Sequence, residues 1–154
     1  MYSSYQITPL GVSDLQELME IERGVFEQPW SASIMRDSLR AAHCSVWGLY
    51  SVDDSQLIGF GVITTVMDES ELIDMAIAKK YQGKGYGKKL MQFLIDKARQ
   101  NGAEKMFLEV GVNNIAAKAM YLNLKFKSID TRKNYYRRKN NTFEDAIVYQ
   151  LELR

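Results

Sequence analysis

Glu109 and Tyr121 are two side chains in this chain that could move a proton, and they lie twelve residues apart. Glu109 interrupts an otherwise apolar strand pattern, Lys105-Met106-Phe107-Leu108-Glu109-Val110. A carboxylate in such a strand is costly without a partner, so it is paired, hydrated or used. One reading is a structural ion pair with a neighbouring lysine; the other is a general base. Tyr121 falls within a helical pattern, either as a core aromatic or as a phenol that donates a proton. Upstream, Gly83, Gly85 and Gly87 alternate with Lys84 and Tyr86 and lead into Lys88 and Lys89. Glycines let a backbone approach an anion closely, and a helix start presents N–H groups with partial positive charge. That combination suits a phosphate.

These groups need elements to hold them. Leu72, Ile73, Met75, Ala76 and Ile77 read as a strand, and Leu90, Met91, Leu94, Ile95 and Ala98 recur at helical spacing after the glycines. The phosphate loop therefore joins a strand to a helix. In Lys105 to Val110, alternation puts Met106, Leu108 and Val110 on one face and Phe107 with Glu109 on the other. Asn113 and Asn114 can cap the next helix, which carries Ala117, Met120, Tyr121 and Leu124. Before the loop, Tyr5 to Leu10 reads as a strand. A helix capped by Ser13 or Asp14 follows and is broken at Phe26-Glu27-Gln28-Pro29-Trp30. Ser31 caps a short second helix. Ser45 to Val52 and Leu57 to Val66 are strands, with Met67 to Ser70 as the turn to the Leu72 strand. Asn101-Gly102 stops the central helix. Phe126 to Thr131 is a strand, Asn134 to Thr142 a polar loop, and Glu144 to Leu153 the closing strand. The expected fold is α/β (α+β): a mixed, mostly antiparallel sheet of about seven strands with helices on both faces, in one domain over residues 1–154.

Composition narrows the function. The chain has 154 residues, 46% hydrophobic and 25% charged, with a net charge of +1. This is the balance of a soluble globule rather than a generic nucleic-acid or membrane binder. A single cysteine, Cys44, excludes an internal disulfide and a cysteine-rich metal site; His43 is the single histidine. Neither a leader pattern at Met1 to Gln6 nor an apolar run of spanning length is present, so the expected compartment is the cytoplasm and no membrane partner is expected.

The loop is neither a Walker sequence nor a dinucleotide fingerprint, because Lys88 stands where the third glycine of the latter falls. Gln82-Gly83-Lys84-Gly85-Tyr86-Gly87 has the form [RQ]-x-x-G-x-[GA] and resembles the pyrophosphate loop of the GNAT superfamily of acetyl-coenzyme A-dependent N-acetyltransferases. The resemblance extends along the chain in order: Phe26, Pro29-Trp30-Ser31, Met75-Ala76-Ile77, Leu108-Glu109-Val110, Asn113-Asn114, Ala119-Met120-Tyr121, Phe126, Asn134-Tyr135-Tyr136 and Glu144-Asp145-Ala146. Together these look like the RimI type, which acetylates the N-terminal alanine of a small-subunit ribosomal protein. The resemblance implies acetyl-coenzyme A as cosubstrate and no metal. Met75, Ala76 and Ile77 line its pantetheine arm, Gly83, Lys84, Gly85, Tyr86, Gly87 and Lys88 hold its pyrophosphate, and Asn114 contacts it. Glu109 matches the base and Tyr121 the acid. Trp30, Tyr135 and Tyr136 fall in the acceptor-binding segments. A protein N-terminus is the implied partner. An α-amine holds its proton less tightly than lysine, by about 2.5 pKa units or about 3.4 kcal/mol, which favours it with a weak base.

Two features depart from the family. Lys125 stands where the family has a glycine before Phe126, and the Arg137-Arg138-Lys139-Asn140-Asn141 stretch is more basic. A small amine or a lysine remains an alternative acceptor. A remoter alternative is an RNA-binding protein, because Arg132 to Lys139 interleaves cations with tyrosines. A coenzyme A-binding protein without activity is opposed by the presence of both Glu109 and Tyr121.

Overall fold

The computed structural model describes residues 4–154. Met1 to Ser3, part of the segment read for a leader, lie outside the described residues. The strands are β1 (Tyr5–Pro9), β2 (Cys44–Ser51), β3 (Gln56–Val66), β4 (Glu69–Ile77), β5 (Lys105–Gly111), β6 (Lys127–Arg137) and β7 (Phe143–Glu152). The helices are α1 (Leu15–Val25), α2 (Ala32–Arg40), α3 (Tyr86–Gln100) and α4 (Ile115–Asn123). The hydrogen-bonded strand order is β1-β2-β3-β4-β5-β7-β6. β1–β2, β2–β3, β5–β7 and β6–β7 pair antiparallel, and β4–β5 pairs parallel. The mixed, mostly antiparallel sheet read from the sequence is therefore present.

Two compact units make up the described chain: residues up to Thr64 with Ile73–Leu94, and Thr65–Leu72 with Ile95–Arg154. In the first, Leu18 and Met19 of α1, Met35 of α2, Val46 of β2, Phe60 and Val62 of β3 and Ala76 of β4 form a buried core. Leu15, Leu18, Met19 and Glu22 follow helical spacing, which is why α1 forms, and it ends where Phe26 turns extended ahead of Pro29. The expected cap differs. Asp14 does not cap α1 with its side chain; its carboxylate accepts the Gly11 N–H at 2.8 Å and closes a 3₁₀ turn over Val12–Asp14. Ser31 does cap α2, accepting the Ile34 N–H at 3.2 Å.

In the second unit, Met106, Leu108 and Val110 are buried while Phe107 and Glu109 are half-buried, as alternation requires. β4 pairs with β5 from Glu69↔Lys105 to Glu71↔Phe107. β6 is longer than expected and takes in Tyr135 and Tyr136, which the sequence pattern assigned to a loop. Asn134 explains this. It adopts a left-handed φ of 52°, its N–H donates to Asp145 Oδ1 at 2.8 Å, and the irregularity between Arg132 and Tyr136 lets pairing resume at Tyr136↔Glu144. Asparagine tolerates that conformation better than most residues, and a bulge absorbs the extra residues.

α3 and α4 end in the same motif. After α3, Gly102 N–H binds Arg99 O and Ala103 N–H binds Ala98 O, both at 3.0 Å. After α4, Lys125 N–H binds Leu122 O and Phe126 N–H binds Tyr121 O, again at 3.0 Å. This paired bonding is a Schellman turn, which places its C′ residue in the left-handed region. Gly102 sits there at φ 93° and Lys125 at φ 78°. Lys125 thus takes the glycine geometry in spite of its Cβ. No helix among the described residues is long and apolar enough to cross a membrane.

Candidate active site

The first unit carries the glycine loop. β4 ends at Ile77, whose carbonyl accepts the Gln82 side-chain amide at 2.8 Å. Tyr81 donates its hydroxyl to Asp54 Oδ2 at 2.7 Å. The loop is therefore held at its start by two side chains. Gly83 and Gly85 then adopt φ of 75° and 87°, conformations that a Cβ penalises. The space where a Cβ at Gly83 would stand is open. The α3 ladder opens with Lys89 N–H donating to Gly85 O at 3.2 Å. The Gly87 and Lys88 N–H groups precede it and have no helical carbonyl to bind. Lys84 and Lys88 are exposed. Left-handed glycines, a helix start and two lysines fit a pyrophosphate. Tyr86 contributes differently from its neighbours: its ring is buried, edge-on to Tyr5 and Tyr81 at 6.2 and 6.4 Å, so its side chain packs the loop. Ala76 and Ile77 are buried too, which leaves their backbone as the part a ligand can meet. Trp30 packs on the core, and its backbone N–H is accepted by Glu22 Oε2 at 2.9 Å. Cys44 is half-buried and burial pushes its thiol up, away from nucleophilic use; His43 beside it is exposed.

The second unit carries the acid and the tyrosines. Glu109 is paired with Val148 across the β5–β7 ladder, and its side chain is 17% exposed. Its Oε2 lies 3.5 Å from Arg132 Nε and has no hydrogen bond among the described residues. The expected lysine partner is thus an arginine, reached across β7 from β6. Tyr135 hydrogen-bonds Glu109, and its phenol is pushed up by burial first and then by that carboxylate. Tyr136 is pushed up to about 12 by burial, with Glu109 adding to it. The two rings meet edge-on at 5.1 Å. Glu71 belongs to the same cluster: burial raises its carboxyl, the Glu109 charge raises it further, and Arg132 opposes both. Sequence reasoning missed Glu71 and Arg132. Each is an ordinary polar residue in its strand, and only the pairing register joins them to Glu109.

Tyr121 is 6% exposed, enclosed by Phe126 at 5.6 Å and Tyr149 at 6.2 Å between ring centroids. Burial drives its phenol far up, and Tyr136 adds to this. It therefore stays protonated at any working pH.

Glu144 ties the pieces together. It is 9% exposed; Oε2 accepts the Asn113 N–H at 2.8 Å and Oε1 meets Arg138 Nε at 2.7 Å. A Cβ at Gly111 would overlap its carboxylate. The Asn113 and Arg138 bonds hold its pKa below the usual value against the opposing effect of burial, the largest cause. Asn114 next door caps α4 by accepting the Ala117 N–H at 3.1 Å. Arg138 also stacks over Tyr136 at 4.6 Å. The Glu144-Asp145 pair thus fixes the Asn113-Asn114 turn and the bulge before Tyr135 at once.

Residues 15–126 match the Acetyltransferase (GNAT) family, and the chain belongs to that family. It is 33% identical over 142 residues to the [ribosomal protein bS18]-alanine N-acetyltransferase of Haemophilus influenzae, covering 92% of this chain and 94% of that protein. The Escherichia coli enzyme of the same name is 29% identical over 147 residues, covering 96% and 97%. The crystal structure of the ribosomal-protein-S18-alanine N-acetyltransferase from E. coli superposes with a TM-score of 0.91 over 97% of this chain and 94% of that one. The fold is also that of Arabidopsis thaliana NAA60, solved with acetyl-CoA, at a TM-score of 0.87 and 16% identity, over 97% and 98% of the chains.

Proposed function

We propose that this chain transfers the acetyl group of acetyl-coenzyme A to the α-amine of an N-terminal alanine on a small-subunit ribosomal protein, in the cytoplasm. The observation that carries the mechanism is Glu109: a carboxyl on a central strand with a buried oxygen that accepts no hydrogen bond. The names of the two bS18-alanine relatives support the acceptor. Because the family match runs through residues of both units, one catalytic domain is the simplest reading.

Acetyl-coenzyme A supplies the acetyl group as a thioester. Gly83, Lys84, Gly85, Tyr86, Gly87 and Lys88 offer its pyrophosphate backbone N–H groups and two cations, Asn114 gives a polar contact, and Met75, Ala76 and Ile77 offer strand backbone. Trp30, Tyr135 and Tyr136 line the acceptor. Glu71 and Glu109 together draw an α-ammonium, and Glu109 takes its proton, directly or through water, leaving the lone pair free to form the new C–N bond. Tyr121 gives its proton to the sulfur as the C–S bond breaks, and the second amine proton returns to the Tyr121 oxygen, leaving the neutral amide. A buried phenol is protonated for this step at every working pH.

The cation-rich stretch from Arg132 to Lys139 weighs against RNA binding. Arg132, Lys133 and Arg138 already pair with Glu109, Asp145 and Glu144, and Arg137 bonds Asn141. The deciding experiment follows thiol release from acetyl-coenzyme A with two peptides. Both carry an alanine-first ribosomal-protein sequence, but one has its α-amine blocked and an internal lysine free. Turnover only with the free alanine is expected. Turnover only with the lysine peptide would overturn the acceptor, and turnover with neither would point to a small amine.

A further inference from the structure

Glu22 is 1% exposed on α1. Its Oε2 accepts the Trp30 N–H at 2.9 Å, while Oε1 is buried with no hydrogen bond from any donor among the described residues. Asp74 on β4 is half-buried and has a similar pattern of bonds. It takes the Met75 N–H, and its Oδ2 is buried with no donor. The two carboxyls lie within hydrogen-bonding reach of each other. Ionised carboxyl oxygens only accept, so a bond between them requires one proton. Without it, two charges would repel each other in an apolar core and lose solvation as well.

The surroundings supply no other answer. The hydrophobic core of the same unit includes Leu18, Met19, Met35, Phe60, Val62 and Ala76, drawn in part from the α1 and β4 that carry the pair. On the packed elements, Glu17, Glu20 and Arg23 of α1 and Asp37 and Arg40 of α2 are exposed, and Arg36 is half-buried. β2 adds the half-buried Tyr50 phenol and Cys44 thiol. Burial is the largest influence on Asp74 and raises its pKa. The bond and charge of Glu22 raise it further, and the Met75 N–H works the other way.

We propose that Glu22 and Asp74 share a single proton, and that this O–H···O bond positions the Phe26–Trp30 turn for the acceptor peptide. The acceptor half rests on the reading of Trp30 given above. The pair joins α1 to β4: one carboxyl carries the Trp30 backbone and the other the Met75 backbone. These are positioning residues; neither needs to touch a reacting atom. The folded chain then holds nearly one proton more than the unfolded chain once both unfolded carboxyls have ionised, above about pH 5, until the pair ionises. Across that window the unfolding constant rises about tenfold per pH unit from this pair alone. Asp74→Asn replaces the shared proton by an amide N–H and removes that slope.

The test compares wild type, Asp74→Asn and Asp74→Ala, with Trp30→Ala as control, between neutral and alkaline pH. Unfolding and the KM values for an alanine-first peptide and for acetyl-coenzyme A are read separately. The expected result is that Asp74→Asn gains stability over wild type about tenfold per pH unit. Asp74→Ala should raise the peptide KM several-fold with little change in the KM for acetyl-coenzyme A, and Asn should restore it. If Asp74→Ala does not fold, Glu22→Ala, with Glu22→Gln as its conservative partner, supplies the same comparison. Parallel stability profiles for wild type and Asp74→Asn would overturn the shared proton. An unchanged peptide KM in Asp74→Ala would overturn the positioning role. If Trp30→Ala also leaves the peptide KM unchanged, the acceptor reading of Trp30 fails, while the stability profiles still decide the proton.

Discussion

Arg132 Nε stands 3.5 Å from Glu109 Oε2, although the two residues sit on strands separated by β7. Arg132 pairs with Ala146 and Glu109 with Val148, so the arginine side chain crosses β7 over a small residue. Half of the arginine surface is exposed, so the pair is loose enough for Glu109 to exchange partners. Glu109→Gln should therefore cut turnover by about 10²–10⁴ while leaving acetyl-coenzyme A affinity unchanged. Steady-state kinetics with equilibrium cofactor binding checks both halves, and wild-type turnover would remove Glu109 as the base.

Tyr121→Phe keeps the ring contacts with Phe126 and Tyr149 and removes only the proton donor. Turnover should fall about tenfold to a hundredfold with little change in thermal stability. Because burial raises this phenol, the alkaline limb of the wild-type rate profile should come from another group. Full activity in the variant would return Tyr121 to a packing role.

Gly85→Val tests the loop. At φ 87° a β-branched residue is strained, and its side chain would stand where the backbone must approach the phosphates. The affinity for acetyl-coenzyme A should fall at least tenfold by calorimetry. Wild-type affinity would place the pyrophosphate elsewhere.

Lys125→Gly should stabilise the chain by about 1 kcal/mol. Lys125 occupies the left-handed C′ position of α4, which Gly102 fills after α3. Chemical denaturation gives the sign directly. Loss of stability would mean that lysine stem packing outweighs the backbone cost.

Glu144→Gln should cost about 2 kcal/mol near neutral pH, since two charge-assisted bonds weaken at a buried site. The wild-type carboxyl is held below its usual pKa. Its contribution is thus fully present above about pH 4.3 and disappears as pH falls through the folded-state pKa. Denaturation curves for wild type and variant should converge in acid; a constant gap would make the effect steric.

The sequence by itself determined the pieces that depend on neighbours along the chain. Helical spacing marked the apolar faces of α1 and α3, Ser31 and Asn114 announced the caps of α2 and α4, and the Gly83 to Gly87 turn carried its own backbone conformation. Alternation placed Glu109 opposite the buried face of β5. All of these follow from forces acting within one turn of helix or a few residues of strand. Where that range was exceeded, local reasoning erred or fell silent. Tyr135 and Tyr136 look like loop residues until the Asp145 carboxylate binds the Asn134 N–H and pairing with β7 resumes. Nothing beside Glu109 in the sequence points to Arg132 or Glu71, and nothing beside Glu22 points to Asp74. These partners are chosen by strand register and by packing in the low-dielectric interior, where a charge must find compensation from whatever residue the fold has brought within reach.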